Sequence, residues 1–171
     1  MKFASIKAFA AASLLATFAA SVSAGTATST MSVSAVVVPK CTIDSVSAMV
    51  FGTYVQESGD IDSAAAINLT CPVGTNYTIG IDGLVGAGNV RNLTFTDVAG
   101  PHLLEYNLFR DAGRTQIWGP IGGPAGTSVQ TGSGTAASVA IPVFGRVVDN
   151  AANRLVPAGT YNAVVTVTIT Y

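Results

Sequence analysis

Residues 160–171 read TYNAVVTVTITY, the most regular alternation of side chains in the sequence. Successive side chains of a β-strand point to opposite faces, so the pattern predicts a strand with one apolar face and one face rich in threonine. The apolar face carries Ala163, Val165, Val167, Ile169 and Tyr171. We therefore expect a strand over Thr160–Tyr171 that contributes to a hydrophobic core.

Shorter runs of the same kind come before it, at Met49–Tyr54, Ala65–Cys71, Tyr77–Ile81, Leu103–Phe109 and Val139–Val148. Turn-forming residues separate these runs, and no window after residue 24 keeps a helical period. Because Pro142 lacks a ladder donor, we expect its strand to lie at an edge or to bulge there. Gly119–Gly134 is rich in Gly, Pro, Ser and Thr and predicts a long loop. The fold class is all-β, a β-sandwich of immunoglobulin-like topology.

The first 24 residues have the pattern of an export signal. Lys2 and Lys7 precede an apolar run at Ala8–Ala20, and small residues precede a cut after Ala24. This run is shorter than the ~20 residues that a membrane-spanning helix needs. We expect residues 1–24 to be a signal peptide, no membrane span after its removal, and a remaining chain of one domain.

Charge is scarce in the remaining chain. Loss of the signal peptide leaves six of the eight basic residues against nine acidic ones, a net charge of −3. Without a basic patch, nucleic acid and anionic membranes are disfavoured as partners.

Cys41 and Cys71 are the only cysteines. An even pair in an exported chain predicts a disulfide. A metal site is the alternative, but no second pair and no neighbouring histidine supports it. His102, the only histidine, offers no Ser/His/Asp or Cys/His arrangement once the cysteines are paired. We therefore expect neither an enzyme nor a cofactor, and we interpret His102 as a loop residue.

A second alternating stretch lies ahead of the domain. Residues 26–38 read TATSTMSVSAVVV, with no charge and no turn signal that would form a hairpin. Its apolar face carries Met31, Val33, Ala35 and Val37. The apolar face of such a strand must be covered by a sheet. No neighbouring segment of the sequence is evident as the partner strand of that sheet.

Several short motifs, each weak alone, become specific in their order along the chain. After Cys41 they are Phe51–Tyr54, Leu69–Cys71, Tyr77–Ile79, Leu104–Asp111, Ile117–Gly119, Val143–Val147 and Ala158–Tyr161. With these motifs the chain resembles the spore coat U domain family, whose members include the Csu-type pilins of archaic chaperone–usher pili.

The resemblance implies an incomplete immunoglobulin-like β-sandwich that lacks its last strand. Residues 25–39 would then be an N-terminal donor-strand extension and residues 40–171 the pilin domain. Met31, Val33, Ala35 and Val37 would enter the groove of the next subunit, and the apolar face of 160–171 would border that groove. The implied partners are identical or related pilins joined head-to-tail, a periplasmic chaperone and an outer-membrane usher. The implied location is the cell surface, reached through the periplasm, with roles in adhesion and biofilm.

Two other functions remain open. A tip adhesin or lectin-like domain could use the Gly119–Gly134 loop, and a protective spore-coat protein would suit the family's name. A sugar-stacking platform could be formed by three aromatic residues, Trp118, Tyr106 and Phe109. We favour the alternative, that their side chains belong to the core. The donor segment could also close onto its own domain, although Pro39 and Cys41 make that return awkward.

Overall fold

A computed structural model describes residues 24–86 and 88–171, so most of the predicted signal peptide lies outside the described residues. Residues 24–36 and 37–171 belong to separate compact units. The first stretch contains no strand or helix, and its side chains are exposed. The strand expected at 26–38 is therefore not formed in the single chain, because a strand exists only with a hydrogen-bonded neighbour. No helix in the described part is long and apolar enough to cross a membrane.

Residues 37–171 form a domain built almost entirely of β-strands. The described strands are β1 (Thr42–Val46), β2 (Ile61–Thr70), β3 (Asn76–Ile81), β4 (Arg91–Asp97), β5 (Gly100–Phe109), β6 (Ile117–Trp118), β7 (Thr127–Ser128), β8 (Gln130–Ser133), β9 (Ser138–Val147) and β10 (Val167–Thr170). One 3-10 turn, Asn153–Leu155, follows β9.

The strands form two sheets. The larger has the order β1-β2-β9-β5-β6-β7, with β4 also paired to β5, and the smaller has the order β10-β3-β8. The longest ladder joins β2 and β9 in antiparallel register from Ile61 opposite Val147 to Thr70 opposite Ser138. Buried apolar residues of both sheets form one cluster. The predicted all-β, immunoglobulin-like sandwich is thus confirmed.

Two core features were also predicted correctly. Cys41 and Cys71 form a disulfide, with an S–S distance of 2.09 Å. Trp118 is fully buried, and its indole Nε1 donates to the carbonyl of Ile79 on the other sheet at 2.9 Å. Because Tyr106 and Phe109 are buried as well, the three aromatics belong to the core and do not form a surface platform.

The last predicted strand is shorter than the alternation suggested. Only β10 is assigned as a strand, while Asn162 makes a single antiparallel bridge to Thr94 of β4. The chain therefore leaves the larger sheet at Asn162 and joins β3 of the smaller sheet at Val167. Between them, Ala163–Val165 make no backbone–backbone hydrogen bond in the described part of the chain, which is why the strand is interrupted.

Three further predictions can be compared with the structure. Met49–Tyr54 is not a strand, and Gly119–Gly134 is not a plain loop, because it contains β7 and β8. Pro142 lies in a part of β9 that pairs with β2 alone, since the β5 ladder covers only residues 144–147. β9 as a whole lies inside the sheet, between β2 and β5, and its register with β2 is regular at Pro142, so the expected edge strand or bulge is not found.

Arg91 is a buried cation that ties the two sheets together. Its guanidinium donates to the carbonyls of Ile81 (2.8 Å), Asp82 (2.7 Å) and Trp118 (2.6 Å), and to the side-chain oxygen of Asn107 (3.3 Å). Burial lowers the pKa of Arg91 to about 10, so the side chain stays protonated at neutral pH.

Replacing Arg91 with methionine should lower the free energy of unfolding by at least about 3 kcal/mol. The substitution leaves three carbonyls without a donor, each worth about 1–3 kcal/mol when buried. Urea unfolding followed by Trp118 fluorescence measures the loss. Arg146→Met, which removes only partly exposed ion pairs with Asp60 and Asp62, should cost less than ~1 kcal/mol. Equal losses in the two variants would contradict this role of Arg91.

Candidate strand-acceptor groove

An open cavity of about 840 Å³ lies in the domain between two stretches of chain that are not in strands. One wall is formed by residues 49–56 and the other by residues 156–163. The apolar side chains of Leu93, Leu104 and Val147, from β4, β5 and β9, also line it. We call this cavity the groove. Its lining combines apolar side chains with about as much polar surface, and its two walls are each eight residues long. Such a lining suits an elongated segment that brings both apolar side chains and backbone hydrogen bonds.

The groove lies along backbone that has no neighbouring strand. In the described residues, Met49–Tyr54 makes no backbone–backbone hydrogen bond, and neither does Ala163–Val165. β10 pairs with β3 on one side only, so its other edge is open. Unpaired strand edges are templates for the addition of another strand.

Glycines let the walls sit close to the sheet. A Cβ atom on Gly145 of β9 would lie 2.8 Å from the Phe51 ring and 2.9 Å from the Met49 sulfur. A Cβ on Gly159 would lie 2.6 Å from the ring of Phe95. Any larger residue at either glycine would push a wall of the groove away from the sheet.

Polar contacts fix the wall at 49–56. The Asp149 carboxylate accepts hydrogen bonds from Tyr54 Oη (2.6 Å) and from the backbone N–H groups of Glu57 (3.2 Å) and Gly59 (3.1 Å). Arg154 donates to both carboxylate oxygens, at 3.0 and 2.9 Å. Gln56 Nε2 donates to the carbonyl of Val156 (2.8 Å), which joins the two walls directly.

These contacts shift two pKa values. The hydrogen bonds from Arg154 and Tyr54 hold the pKa of Asp149 far below its ordinary value. Burial, with the hydrogen bond to Asp149, raises the pKa of Tyr54 to about 12. Asp149 is therefore a carboxylate and Tyr54 a neutral phenol throughout the neutral range.

Of the five residues predicted to border the groove on the last strand, only Ala163 lines the cavity. Val165, Val167 and Ile169 are half-buried and pack against the core, so the predicted phase holds. Tyr171 shares that phase but is 54% exposed. The walls themselves were not identified from the sequence as binding surfaces, although Phe51–Tyr54 and Ala158–Tyr161 stood out as family motifs. Asp149 was missed entirely.

The residues proposed as donors are exposed in the single chain. Met31 and Val33 each expose 86% of their surface, and Val37 exposes 90%. Ala35 lies between them and is also exposed. Apolar side chains in a row without cover are unusual on a soluble monomer and mark a surface that another chain can bury.

Polar residues that catalysis or metal binding would require have other partners. Asp62 forms ion pairs with Arg146 (2.7 Å) and Arg114 (3.0 Å). His102 lies in β5 and not, as expected, in a loop. Its ring contacts the Asp97 carboxylate at 3.0 Å. No group of three or more His, Cys, Asp or Glu that could hold a metal occurs in the part of the chain that the structure describes.

The fold and the groove together define a class of domain, a disulfide-bonded β-sandwich with an open edge beside an apolar groove. The chain matches the Spore Coat Protein U domain over residues 27–168. Because the match covers most of the sequence, the chain belongs to this family, as its motifs predicted.

One similar solved structure is the crystal structure of a chaperone–tip adhesion subunit pre-assembly complex from archaic chaperone–usher Csu pili of Acinetobacter baumannii. The identity is 19% and the TM-score 0.47, over 79% of this chain. The match spans 40% of the length of the matched chain. A search of curated protein sequences finds no match.

Proposed function

We propose that this protein is a structural pilin subunit that polymerises by donor-strand exchange into surface pili for adhesion and biofilm formation. The observation that carries the proposal is a matching pair of features. The domain has a groove with apolar side chains beside unpaired backbone, and an exposed segment of the same chain has the alternating sequence of a strand with one apolar face. The groove needs a strand to fill it, and the apolar face of the segment needs a sheet to cover it. A second copy of the chain supplies both the strand and the sheet.

Length and energy agree with this pairing. Strands rise about 3.3 Å per residue, so residues 31–37 span roughly 20 Å, similar to the eight residues from Ala163 to Thr170. Burial of Met31, Val33 and Val37 yields about 1.5–3 kcal/mol for each side chain, and Ala35 adds less. The ladder hydrogen bonds come in addition, because the donor satisfies backbone groups that are otherwise left to water.

The contact is head-to-tail. The donor segment and the groove are different surfaces of one chain, so repetition gives an open filament and not a closed ring. Before assembly the groove needs a temporary cover, and the family suggests a periplasmic chaperone for this role and an outer-membrane usher for export. The predicted signal peptide at 1–24 directs the chain to that compartment.

Deleting residues 25–38 after the signal peptide should abolish fibres while leaving a domain that a co-expressed chaperone retains in the periplasm. The deletion removes the donor segment and leaves the groove lining intact. Electron microscopy of cells and co-purification with the chaperone measure the two outcomes. Fibres of normal length from the deletion strain would rule out this mode of assembly.

A further inference from the structure

Asp149 stands outside the groove but determines the position of one of its walls. The residue lies two positions after the end of β9, and its side chain is only 4% exposed. It does not line the cavity, yet it binds the Tyr54 hydroxyl, and Tyr54 does line it. Its effect on the groove therefore passes through Tyr54 and the loop that follows.

That loop adopts a conformation that it would not hold unaided. Glu57 has φ 63° and Gly59 has φ 100°, both in the left-handed region. A non-glycine residue such as Glu57 is rarely found there. The backbone N–H groups of these two residues converge on the Asp149 carboxylate at 3.2 and 3.1 Å. The carboxylate thus compensates for the strained turn.

The rest of the wall is held mainly by side chains. Met49 and Phe51 pack against the core, and the hydroxyl of Ser63 donates to the Val50 carbonyl at 2.6 Å. Residues 49–54 make no backbone–backbone hydrogen bond in the described chain, and Gln56 bonds to the opposite wall at Val156. Without the Asp149 carboxylate, the end of the wall at 54–59 loses the charged acceptor on which Tyr54 and two backbone N–H groups converge, so this end is no longer held in place.

We propose that Asp149 is a positioning residue that keeps the empty groove open for an incoming strand. This inference rests on the proposed function and adds an asymmetry to it. Asp149 serves acceptance only, because the described partners of its carboxylate, among them Tyr54 and Arg154, belong to the domain that forms the groove. A variant at this site should still donate its own segment to another copy.

The test measures acceptance separately from donation. A full mature chain carrying Val33→Asp serves as the acceptor background, since it has an intact groove and a disabled donor. A fluorescent peptide of residues 27–38 is added, and the rate and extent of capture are measured by anisotropy. Adding Asp149→Asn should slow or weaken capture about tenfold, as expected for the loss of charge-assisted hydrogen bonds.

Asp111→Asn in the same background is the matched control. Asp111 also accepts backbone N–H groups in a turn, from Thr115 and Gln116, but it neither lines the groove nor contacts either wall. Its substitution should leave capture unchanged. Trp118 fluorescence reports whether each variant is folded, because the indole is fully buried. If Asp149→Asn does not fold, Tyr54→Phe replaces it, removing one hydroxyl and slowing capture several-fold.

The donation arm uses Asp149→Asn with its native segment. Mixed with an excess of the Val33→Asp chain, it should give mainly one-to-one complexes, seen by native mass spectrometry, because the groove of the Val33→Asp chain accepts a segment about tenfold better than the groove of the Asp149→Asn chain. Equal capture by the folded Asp149 and Asp111 variants would overturn the role of Asp149 and leave donor-strand exchange standing. Failure of the peptide to bind any variant would overturn donor-strand exchange itself, and this inference with it.

Discussion

Fibres should disappear when Val33 becomes aspartate and persist when the neighbouring Ser32 becomes aspartate. The two substitutions add the same charge one residue apart, on opposite faces of the donor strand. At position 33 the carboxylate enters an apolar groove, where an unpaired buried charge costs several kcal/mol and the valine's contribution of about 1.5–3 kcal/mol is lost. At position 32 the carboxylate stays in water.

A combined loss of about 4 kcal/mol weakens each subunit contact roughly a thousandfold. Fibre yield from cells that express each variant, compared by shearing and immunoblotting, measures the difference. The Ser32→Asp strain controls for export and for added charge. Equal yields from the two strains would show that residues 31–37 enter the groove in another phase or not at all.

Replacing both cysteines with alanine should lower the free energy of unfolding by about 3–4 kcal/mol. The disulfide closes a loop with a sequence separation of 30, and chain-entropy models give that value for a loop of this size. The bridge also holds the start of β1, which pairs with β2 alone and begins opposite Thr70. Loss of the bridge should therefore fray β1 first.

Urea unfolding of the mature chain, with and without a reducing agent, measures this effect. The free energy of unfolding of the double variant should be close to that of the reduced wild type. It should not change when the reducing agent is added, which controls for other effects of that agent. Hydrogen exchange should show the earliest loss of protection in β1. A cost below ~1 kcal/mol would mean that the cross-link does not stabilise this end of the sheet.

Local patterns predicted the parts of the fold that depend on local chemistry. The alternation at 165–170 gave the correct faces, and the paired cysteines gave the disulfide. β4 was missed because its first residue is Arg91, and a buried arginine is recognised only when the three distant carbonyls that it binds are known. β7 and β8 were missed because their Gly- and Thr-rich stretch has little strand character without its neighbours.

The groove was harder to predict than the sheets. Met49–Tyr54 has the composition of a strand, but it forms none because no strand of the described chain lies beside it. Asp149 lies in a polar loop, and nothing around it in the sequence points to amides some 90 residues earlier. Both failures have one cause, since the structure of each stretch depends on parts of the chain that are distant in the sequence.

The open edge of β10 links the number of exposed templates for strand addition in a cell to the number of free copies of the protein. Every copy with an empty groove leaves its β10 edge open, so the number of these open edges grows with the number of free copies. In a fibre joined as proposed, each β10 edge is covered by the next copy except at one terminus, whatever the length. On that proposal, a long fibre leaves no more β10 edges open than a single free copy does, and synthesis without assembly favours aggregation.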